Sequence, residues 1–401
     1  TLPNYEYYMR HLESITIHQF RGLRDVKLDN LGQVNLLVGI NHSGKTSVLE
    51  ALSIYCHPLD IRVWLSTARQ REQENRIPRT SMLDSLRWLF THHSITNQEQ
   101  EQYIKETILI SSQGEFPIQT MKASYQEMEE IWLSERNNKR NLAASQDEEI
   151  IDSDESMLEV DELPGIRKGI ELNVEIELNT NQASLFPELD KMAETFQLWE
   201  NDTRYKLHGK RNPSLLTAIV TPSSHRSDIG QFRLLSEARF DNFKSDVLEL
   251  LQQIDQNISD IEILLPPGSK SAFNIYIIHE KLGLAPVSTF GDGIRRLLHI
   301  ALKLASVKGG ILLIDELEST IHTEALQSSF NWLVKWCKEM NVQLFATTHS
   351  LEAVDALLEV TESASDLVLY RLEPKETKTL VIRHDWNRLK RLREEQGQEV
   401  R

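Results

Sequence analysis

The feature that most constrains the fold of this chain is an eight-residue segment, GINHSGKT, at residues 39–46. It matches the pattern G-x-x-x-x-G-K-[ST], in which glycines let backbone N–H groups curl around phosphate oxygens. Residues 34–38 before it form an apolar run typical of a buried strand, and residues 47–53 after it are typical of a helix. Because a helix N-terminus adds positive potential where phosphates bind, this setting predicts a nucleotide-binding loop.

Two side chains of this loop predict how the nucleotide is held. Lys45 is placed to reach the β- and γ-phosphates, and the hydroxyl of Thr46 is a ligand for Mg²⁺. The loop alone leaves one alternative, a glycine-rich turn that buries a lysine–threonine pair. That alternative does not explain the motifs that follow further along the chain.

Net charge and cysteine content limit the partners and the compartment. The 401 residues carry a formal net charge of −16, which disfavours indiscriminate binding to nucleic acid or anionic membranes. The two cysteines, Cys56 and Cys337, are far apart, which argues against a disulfide scaffold or a zinc site. No apolar run approaches the roughly 20 residues that span a bilayer. The sequence therefore predicts a cytoplasmic protein with no membrane partner.

The order of elements predicts an α/β fold with a largely parallel sheet covered by helices. The strands of this sheet after residue 215 are predicted at 216–220, 275–278, 311–314 and 342–346. The helices between and after them are predicted at 241–256, 294–307 and 323–340. A final strand pair and a basic closing helix are predicted at 364–372, 379–382 and 386–397.

The predicted nucleotide-binding domain closes through both ends of the chain, because its phosphate loop lies near the start and its partner strands lie past residue 300. It comprises residues 9–56 and 215–401, and residues 57–214 form an insertion of short helices and a small β region. A strand hairpin at 15–20 and 26–28 precedes the loop, and antiparallel strands of the insertion are predicted at 106–110, 118–121 and 170–178. An acidic stretch at about 145–162 predicts a mobile loop.

A second motif, ILLIDE at residues 311–316, places two carboxylates after four apolar residues. A buried strand that ends in acidic residues puts them at the edge of an α/β sheet where catalytic groups lie. Asp315 is predicted to hold Mg²⁺, directly or through water, and Glu316 to polarise the attacking water as a general base. Taken alone, the motif is equally compatible with a helix-capping Asp–Glu pair.

A histidine follows the next apolar strand, in the motif TTHS at residues 347–350. His349 is predicted to lie one strand spacing, roughly 5 Å, from the acidic pair. From there it can hydrogen-bond the γ-phosphate or the attacking water. A single histidine at a strand end is usually structural, but its position after the acidic pair and a helix favours a catalytic role.

A second glycine-rich segment, STFGDGIRR at residues 288–296, precedes the acidic strand and opens a predicted helix. Glycines at a helix N-terminus form an anion-binding cradle. One chain does not need two cradles for one nucleotide, so the segment is predicted to bind the γ-phosphate held by another copy of the chain. The alternative is a glycine-rich helix cap.

The order of GINHSGKT, STFGDGIRR, ILLIDE and TTHS resembles the ABC-type ATPase head of the RecF, SMC and OLD-like proteins. FRGL at residues 20–23 and GQEVR at residues 397–401 are also similar to OLD-like and RecF-like ATPases of bacteria. The resemblance covers residues 9–56 and 215–401. It implies a P-loop NTPase that uses ATP and Mg²⁺ and dimerises head-to-head with two ATP molecules between the subunits.

The resemblance also implies roles for individual residues. The residues that would cradle the phosphates and Mg²⁺ are Gly39, Asn41, Ser43, Gly44, Lys45, Thr46 and Ser47. Asp315 and Glu316 would be the Walker B acidic pair, His349 the switch histidine, and Arg21 a basic residue near the nucleotide. The signature loop presented across the dimer would comprise Gly291, Asp292 and Gly293. This loop usually carries a serine where Gly291 stands, so either Ser288 or Thr289 supplies the hydroxyl or no residue does.

Three functional hypotheses follow from this resemblance. OLD proteins carry a nuclease domain after the ATPase. Here only about 50 residues follow Thr348, which is the size of a strand pair and a helix rather than of another domain. The first hypothesis is therefore an ATPase sensor or scaffold of a bacterial anti-phage defence system that controls a separate effector, such as a nuclease. The second is a RecF-like repair ATPase that binds DNA. The third is a nucleotide-gated interaction module with slow hydrolysis.

Overall fold

The computed structural model describes residues 11–72, 80–90, 107–132, 165–179, 190–200, 213–226, 230–266, 273–363, 365–375 and 378–401. The acidic segment predicted at about 145–162 lies outside the described residues. None of the described helices is long and apolar enough to cross a membrane. Cys56 and Cys337 are both buried and unbridged.

The described strands and helices follow the chain in this order. The strands are β1 Ser14–Phe20, β2 Leu23–Leu28, β3 Val34–Val38, β4 Thr107–Gln113, β5 Ile118–Trp132, β6 Gly165–Leu178, β7 Lys191–Trp199, β8 Thr217–Val220, β9 Ile258–Leu264, β10 Asn274–His279, β11 Gly283–Pro286, β12 Ile311–Ile314, β13 Gln343–Thr347, β14 Leu367–Pro374 and β15 Thr379–Asp385. The helices are α1 Lys45–Cys56, α2 Ile61–Arg69, α3 Met82–Arg87, α4 Gln231–Phe240, α5 Lys244–Gln252, α6 Asp292–Ser306, α7 Thr323–Glu339, α8 Leu351–Glu359 and α9 Trp386–Lys390.

A six-stranded, largely parallel sheet carries the predicted motifs. Its order is β15-β14-β3-β13-β12-β8, and only the β14–β15 pair is antiparallel. Every residue of β3, β12 and β13 is buried, as expected for strands covered on both faces. The predicted mixed α/β fold is confirmed, and β3, β12 and β13 lie side by side as the sequence motifs require.

Successive side chains of each strand point to opposite faces of this sheet, and helices pack on both faces. Leu37 of β3 packs in one core with the apolar residues of α1, whereas Leu36 packs in a second core with those of α6, α7 and α8. In β12, Leu313 packs in the first of these cores and Leu312 in the second. The strand ends that carry the motifs are therefore fixed from two sides.

A second six-stranded sheet is antiparallel, with the order β2-β1-β4-β5-β6-β7. The N-terminal hairpin β1–β2 lies in this sheet with strands of the predicted insertion, because β1 pairs with both β2 and β4. The boundaries at residues 57 and 214 stay a prediction. The shared sheet shows that the hairpin and the following segment form one continuous β layer.

Three local predictions differ in part from the structure. The single helix at 241–256 is replaced by α4 and α5, which break around Asn242, a residue with a left-handed φ of 58°. The strand at 275–278 forms as β10, but in a separate antiparallel sheet of order β11-β10-β9. Only alternate residues of β10 are buried, so this strand has one covered face rather than two. The closing α-helix ends at Lys390, and Arg391–Glu395 continue as a π-helical turn.

Candidate functional site

The loop of residues 39–46 joins β3 to α1 through two glycines with positive φ. Gly39 has a φ of 143° and Gly44 a φ of 94°. A Cβ atom at Gly39 would lie 2.5 Å from the carbonyl oxygen of Leu372, so only glycine fits there. The buried hydroxyl of Ser43 has no hydrogen-bond partner among the described residues. An unpartnered hydroxyl in a loop at a helix N-terminus suits a cradle that an anion completes.

Lys45 lies across this cradle and is only 6% exposed. Its Nζ donates hydrogen bonds to the carbonyl oxygens of Gly39, at 2.9 Å, and Ile40, at 3.1 Å. Burial lowers the pKa of Lys45, and the nearby charge of Asp315 opposes that shift. The ammonium group can exchange these carbonyl partners for phosphate oxygens, which bind it more strongly because they carry negative charge.

Asp315, at the end of β12, faces the start of α1. Its carboxylate accepts hydrogen bonds from the hydroxyl of Thr46, at 3.0 and 3.2 Å, and from that of Thr347, at 2.6 Å. The contact exists because β3, β13 and β12 are parallel neighbours whose carboxyl ends meet at one edge. The structure therefore brings Thr46 and Asp315, the two predicted metal ligands, into direct contact.

Glu316, the next residue, is half-buried and adopts a left-handed φ of 50°. Such a conformation costs a non-glycine residue about 1–3 kcal/mol and persists only where the surroundings impose it. Here its N–H donates to the hydroxyl of Thr347 at 2.8 Å, and its carbonyl accepts from Arg296 at 2.6 Å. Burial raises the pKa of Glu316, the charge of Asp315 raises it further, and His349 opposes the rise.

The loop after β13 is tied to the acidic loop by Glu318. Its carboxylate accepts hydrogen bonds from the hydroxyl of Thr348, at 2.7 Å, and from the N–H of His349, at 3.0 Å. The carbonyl of His349 accepts from the guanidinium of Arg401 at 2.9 Å. Sequence reasoning missed Glu318, although a third carboxylate two residues after Glu316 was a visible signal.

A buried carboxylate on α1 connects Arg21 to the phosphate loop. Glu50 is fully buried and forms ion pairs with Arg21, at 2.8 Å, and with Arg71, at 2.7 Å. Arg71 also donates to the hydroxyl of Ser47 at 2.8 Å. The predicted neighbour Arg21 is thus linked to Ser47, at the start of α1, through Glu50 and Arg71. Sequence reasoning missed Glu50 and Arg71; the signal for Glu50 was the one acidic residue of α1, flanked by apolar residues on both sides.

Replacing Glu50 with glutamine is expected to lower the free energy of unfolding by about 3 kcal/mol, because it leaves the buried Arg21 without its counter-charge. Urea unfolding at neutral pH measures the change. The exposed Glu324 offers a matched control, and its substitution by glutamine should change stability by less than about 0.5 kcal/mol. Equal stability of the two variants would show that Glu50 does not neutralise Arg21.

The predicted signature residues lie together at the start of α6. Ser288 and Gly291 are exposed, and Gly293 lies against the loop that follows β12. The carboxylate of Asp292 accepts from Arg226 at 2.9 Å and pairs with Arg295 at 3.3 Å. Across the described ranges, no hydrogen bond or ion pair joins residues 288–293 to residues 39–46. Within one chain the two glycine-rich segments therefore remain separate.

A groove of about 560 Å³ opens beside the phosphate loop. Its volume lies within the range of roughly 300–1,000 Å³ that small-molecule sites occupy. Three segments line it: the β1–β2 turn, the phosphate loop and the ends of β14 and β15. Arg24, Lys375 and Lys378 give it a cationic rim that the sequence motifs did not indicate.

Comparisons with known proteins relate the chain to one family and to several individual proteins. The family described as AAA ATPase domain matches residues 11–354. An ATP/GTP phosphatase of Helicobacter pylori (strain ATCC 700392 / 26695) is 22% identical over 360 residues, which are 87% of this chain and 88% of the relative. An uncharacterised protein of Methanocaldococcus jannaschii is 46% identical over 69 residues, or 17% of this chain and 60% of the relative. The SMC head domain of Pyrococcus furiosus, solved with the C-terminal domain of ScpA, superposes with a TM-score of 0.44 at 10% identity, covering 96% of this chain and 99% of that one.

Proposed function

Because the chain belongs to the AAA ATPase domain family, we propose that it binds ATP with residues 39–46 and hydrolyses it to ADP and phosphate. The observation that carries this proposal is the 3.0 Å contact between the hydroxyl of Thr46 and the carboxylate of Asp315, beside the ammonium group of Lys45. These three groups meet at the carboxyl ends of parallel strands, where α/β sheets bind their ligands.

Magnesium fits the oxygen atoms at this point, and we assign Thr46 and Asp315 as its protein ligands. Mg²⁺ is usually held by one or two protein oxygens together with waters and phosphate oxygens. In the portion of the chain that the structure describes, no group of three or more His, Cys, Asp or Glu side chains could hold a metal. The nucleotide would complete the coordination, and the ion would neutralise charge on the β- and γ-phosphate oxygens.

The remaining side chains supply the steps of hydrolysis in this proposal. Lys45 binds the β- and γ-phosphates, and Glu316 accepts a proton from the attacking water. The water oxygen bonds to the γ-phosphorus as the bond to the bridging oxygen breaks, which leaves ADP. His349, in the loop after β13, hydrogen-bonds the γ-phosphate or the water.

The raised pKa of Glu316 predicts the pH dependence of turnover. A general base works when it is deprotonated, so a raised pKa moves the loss of activity to higher pH than for an ordinary glutamate, whose pKa is about 4.3. We expect kcat to fall as the pH decreases through the raised pKa. The check is kcat at saturating ATP and Mg²⁺ over the pH range in which circular dichroism shows the folded state. A profile that stays flat to about pH 4.3 would assign the base to another group.

Hydrolysis itself is tested by steady-state release of phosphate from ATP. We expect turnover that requires Mg²⁺ and is slow, below the median of about 10 s⁻¹ for enzymes. Removal of Mg²⁺ with a chelator should stop it and re-addition should restore it. Absence of turnover by the folded chain with ATP and Mg²⁺ would contradict the proposal.

We further propose that two copies, or a higher oligomer, join head-to-head across ATP and control a separate effector in bacterial anti-phage defence. Two features support this assembly: Gly291 is exposed, and among the described residues no hydrogen bond or ion pair joins residues 288–293 to residues 39–46 of the same chain. Each phosphate loop can then meet residues 291–293 of the other copy. The effector is a protein partner, such as a nuclease.

Co-purification tests the partner. The chain is co-expressed with the product of the neighbouring gene, with and without ATP, and the native mass of the product is measured. A stable complex with that protein is expected. Recovery of the chain alone, together with duplex-DNA binding that weakens steeply with salt, would replace the effector proposal with the RecF-like alternative.

A further inference from the structure

Arg296 is a fully buried arginine on α6 that has no part in the steps above. Its guanidinium donates to three backbone carbonyls: those of Thr221, at 2.9 Å, Asp315, at 2.9 Å, and Glu316, at 2.6 Å. Burial lowers its pKa to about 10, and the charge of Glu316 opposes that shift. The side chain therefore stays positively charged at neutral pH.

These hydrogen bonds hold the backbone of the acidic pair from inside the protein. Thr221 follows β8 and Asp315 follows β12, so one side chain joins the carboxyl ends of two neighbouring strands. Glu316 is fixed on both sides, because its N–H donates to Thr347 and its carbonyl accepts from Arg296. Its left-handed backbone conformation depends on these two partners, since it is intrinsically unfavourable.

The same helix carries residues 291–293 at its start. Asp292 and Arg296 are four residues apart on α6, about one helical turn, so they move together. A Cβ atom at Gly293 would lie 2.9 Å from the carbonyl oxygen of Thr320, in the loop that follows Glu316. The start of α6 thus contacts the acidic loop at Thr320 and holds it at Glu316 through Arg296.

We propose that Arg296 is a positioning residue that couples the loop of residues 291–293 to the backbone of Glu316. A second copy of the chain that docks on that loop displaces the start of α6, and Arg296 carries the displacement to the carbonyls of Asp315 and Glu316. Hydrolysis in each chain then responds to the contact that its residues 291–293 make with the other copy. This inference rests on the proposed ATPase function and assigns a route for its regulation.

Substitution of Arg296 by lysine and by methionine separates positioning from folding. The lysine variant keeps the positive charge but cannot donate to all three carbonyls. The methionine variant removes the charge and all three hydrogen bonds. We expect kcat to fall about 10- to 100-fold in each, the range typical of residues that orient a metal ligand, with the Kd for ATP within about twofold of wild type. Arg233→Lys is a matched control on α4, because Arg233 is exposed and pairs only with Glu237 among the described residues.

Gly293→Ala tests the coupling without removing a buried charge. The new methyl group must push the start of α6 away from Thr320, so kcat should fall at an unchanged Kd. In the double variant with Arg296→Lys, kcat should fall no further than in the worse single variant, because both changes act on one route. Full additivity would overturn the coupling. Absence of wild-type turnover would overturn the proposed function itself, whereas wild-type kcat in all three variants would overturn only the role of Arg296.

Discussion

Replacing Lys45 with alanine is expected to remove measurable ATP binding while the chain stays folded. The Nζ atom that donates to Gly39 and Ile40 is the donor that would bind the β- and γ-phosphates. Each hydrogen bond to a charged group contributes roughly 1.5–3 kcal/mol, so the loss of two weakens binding by about 100-fold or more. The fold tolerates the change because alanine favours the helix that begins there and a buried cation is removed.

Titration with a fluorescent ATP analogue measures this effect, and thermal unfolding measures the stability. Lys281→Ala is a suitable control, because Lys281 is exposed in the turn between β10 and β11, and its Kd should equal that of wild type. Nucleotide affinity retained by folded Lys45→Ala would overturn the assignment of residues 39–46. If the alanine variant does not fold, Lys45→Met keeps the apolar stem and tests the same loss of charge.

Replacing Glu316 with glutamine is expected to preserve ATP binding and reduce kcat by about 10²- to 10⁴-fold, the contribution typical of a general base. The amide has the shape of the carboxylate but cannot accept the proton of the attacking water. Both backbone hydrogen bonds of Glu316 remain available, so the loop keeps its conformation. Uncleaved ATP should then accumulate with the protein.

Native mass spectrometry of this variant with ATP and Mg²⁺ also tests the assembly. A doubling of the mass that depends on ATP is the result expected of two heads that enclose the nucleotides. A variant that stays monomeric with ATP at micromolar protein would falsify the role of residues 291–293 across subunits. Glu359→Gln, an exposed position at the end of α8, controls for the chemical change and should hydrolyse ATP at the wild-type rate.

The sequence predicted the central sheet and its motifs because those segments carry a local signal. The runs at β3, β12 and β13 are continuous and apolar, as strands covered on both faces must be, and each ends in a polar motif. Parallel strands in one sheet place such ends together. The contact between Thr46 and Asp315 follows from that rule, although 269 residues separate them.

The parts that the sequence did not predict depend on contacts between distant segments. Nothing local to β1 indicates that it pairs with β4 as well as β2. The ion pairs of Glu50 join α1 to Arg21 and to Arg71, and a buried charge is recognised only once its partners are known. The break between α4 and α5 is set by Asn242, which adopts a left-handed conformation that only a minority of asparagines adopt, so the residue type alone did not indicate the break.

The order of strands in the parallel sheet has a consequence for synthesis of the protein. The central strand β3 lies between β13 and β14, both of which come from the last sixty residues of the chain. At 5–20 residues per second, the roughly 330 residues between β3 and the end of β14 take a ribosome about 15 to 65 s to add. For most of that interval an apolar strand, Val34–Val38, has neither neighbour, and its unpaired edges favour aggregation. We therefore expect a chaperone that binds during translation to raise the yield of folded protein by more than any single contact in the finished site does.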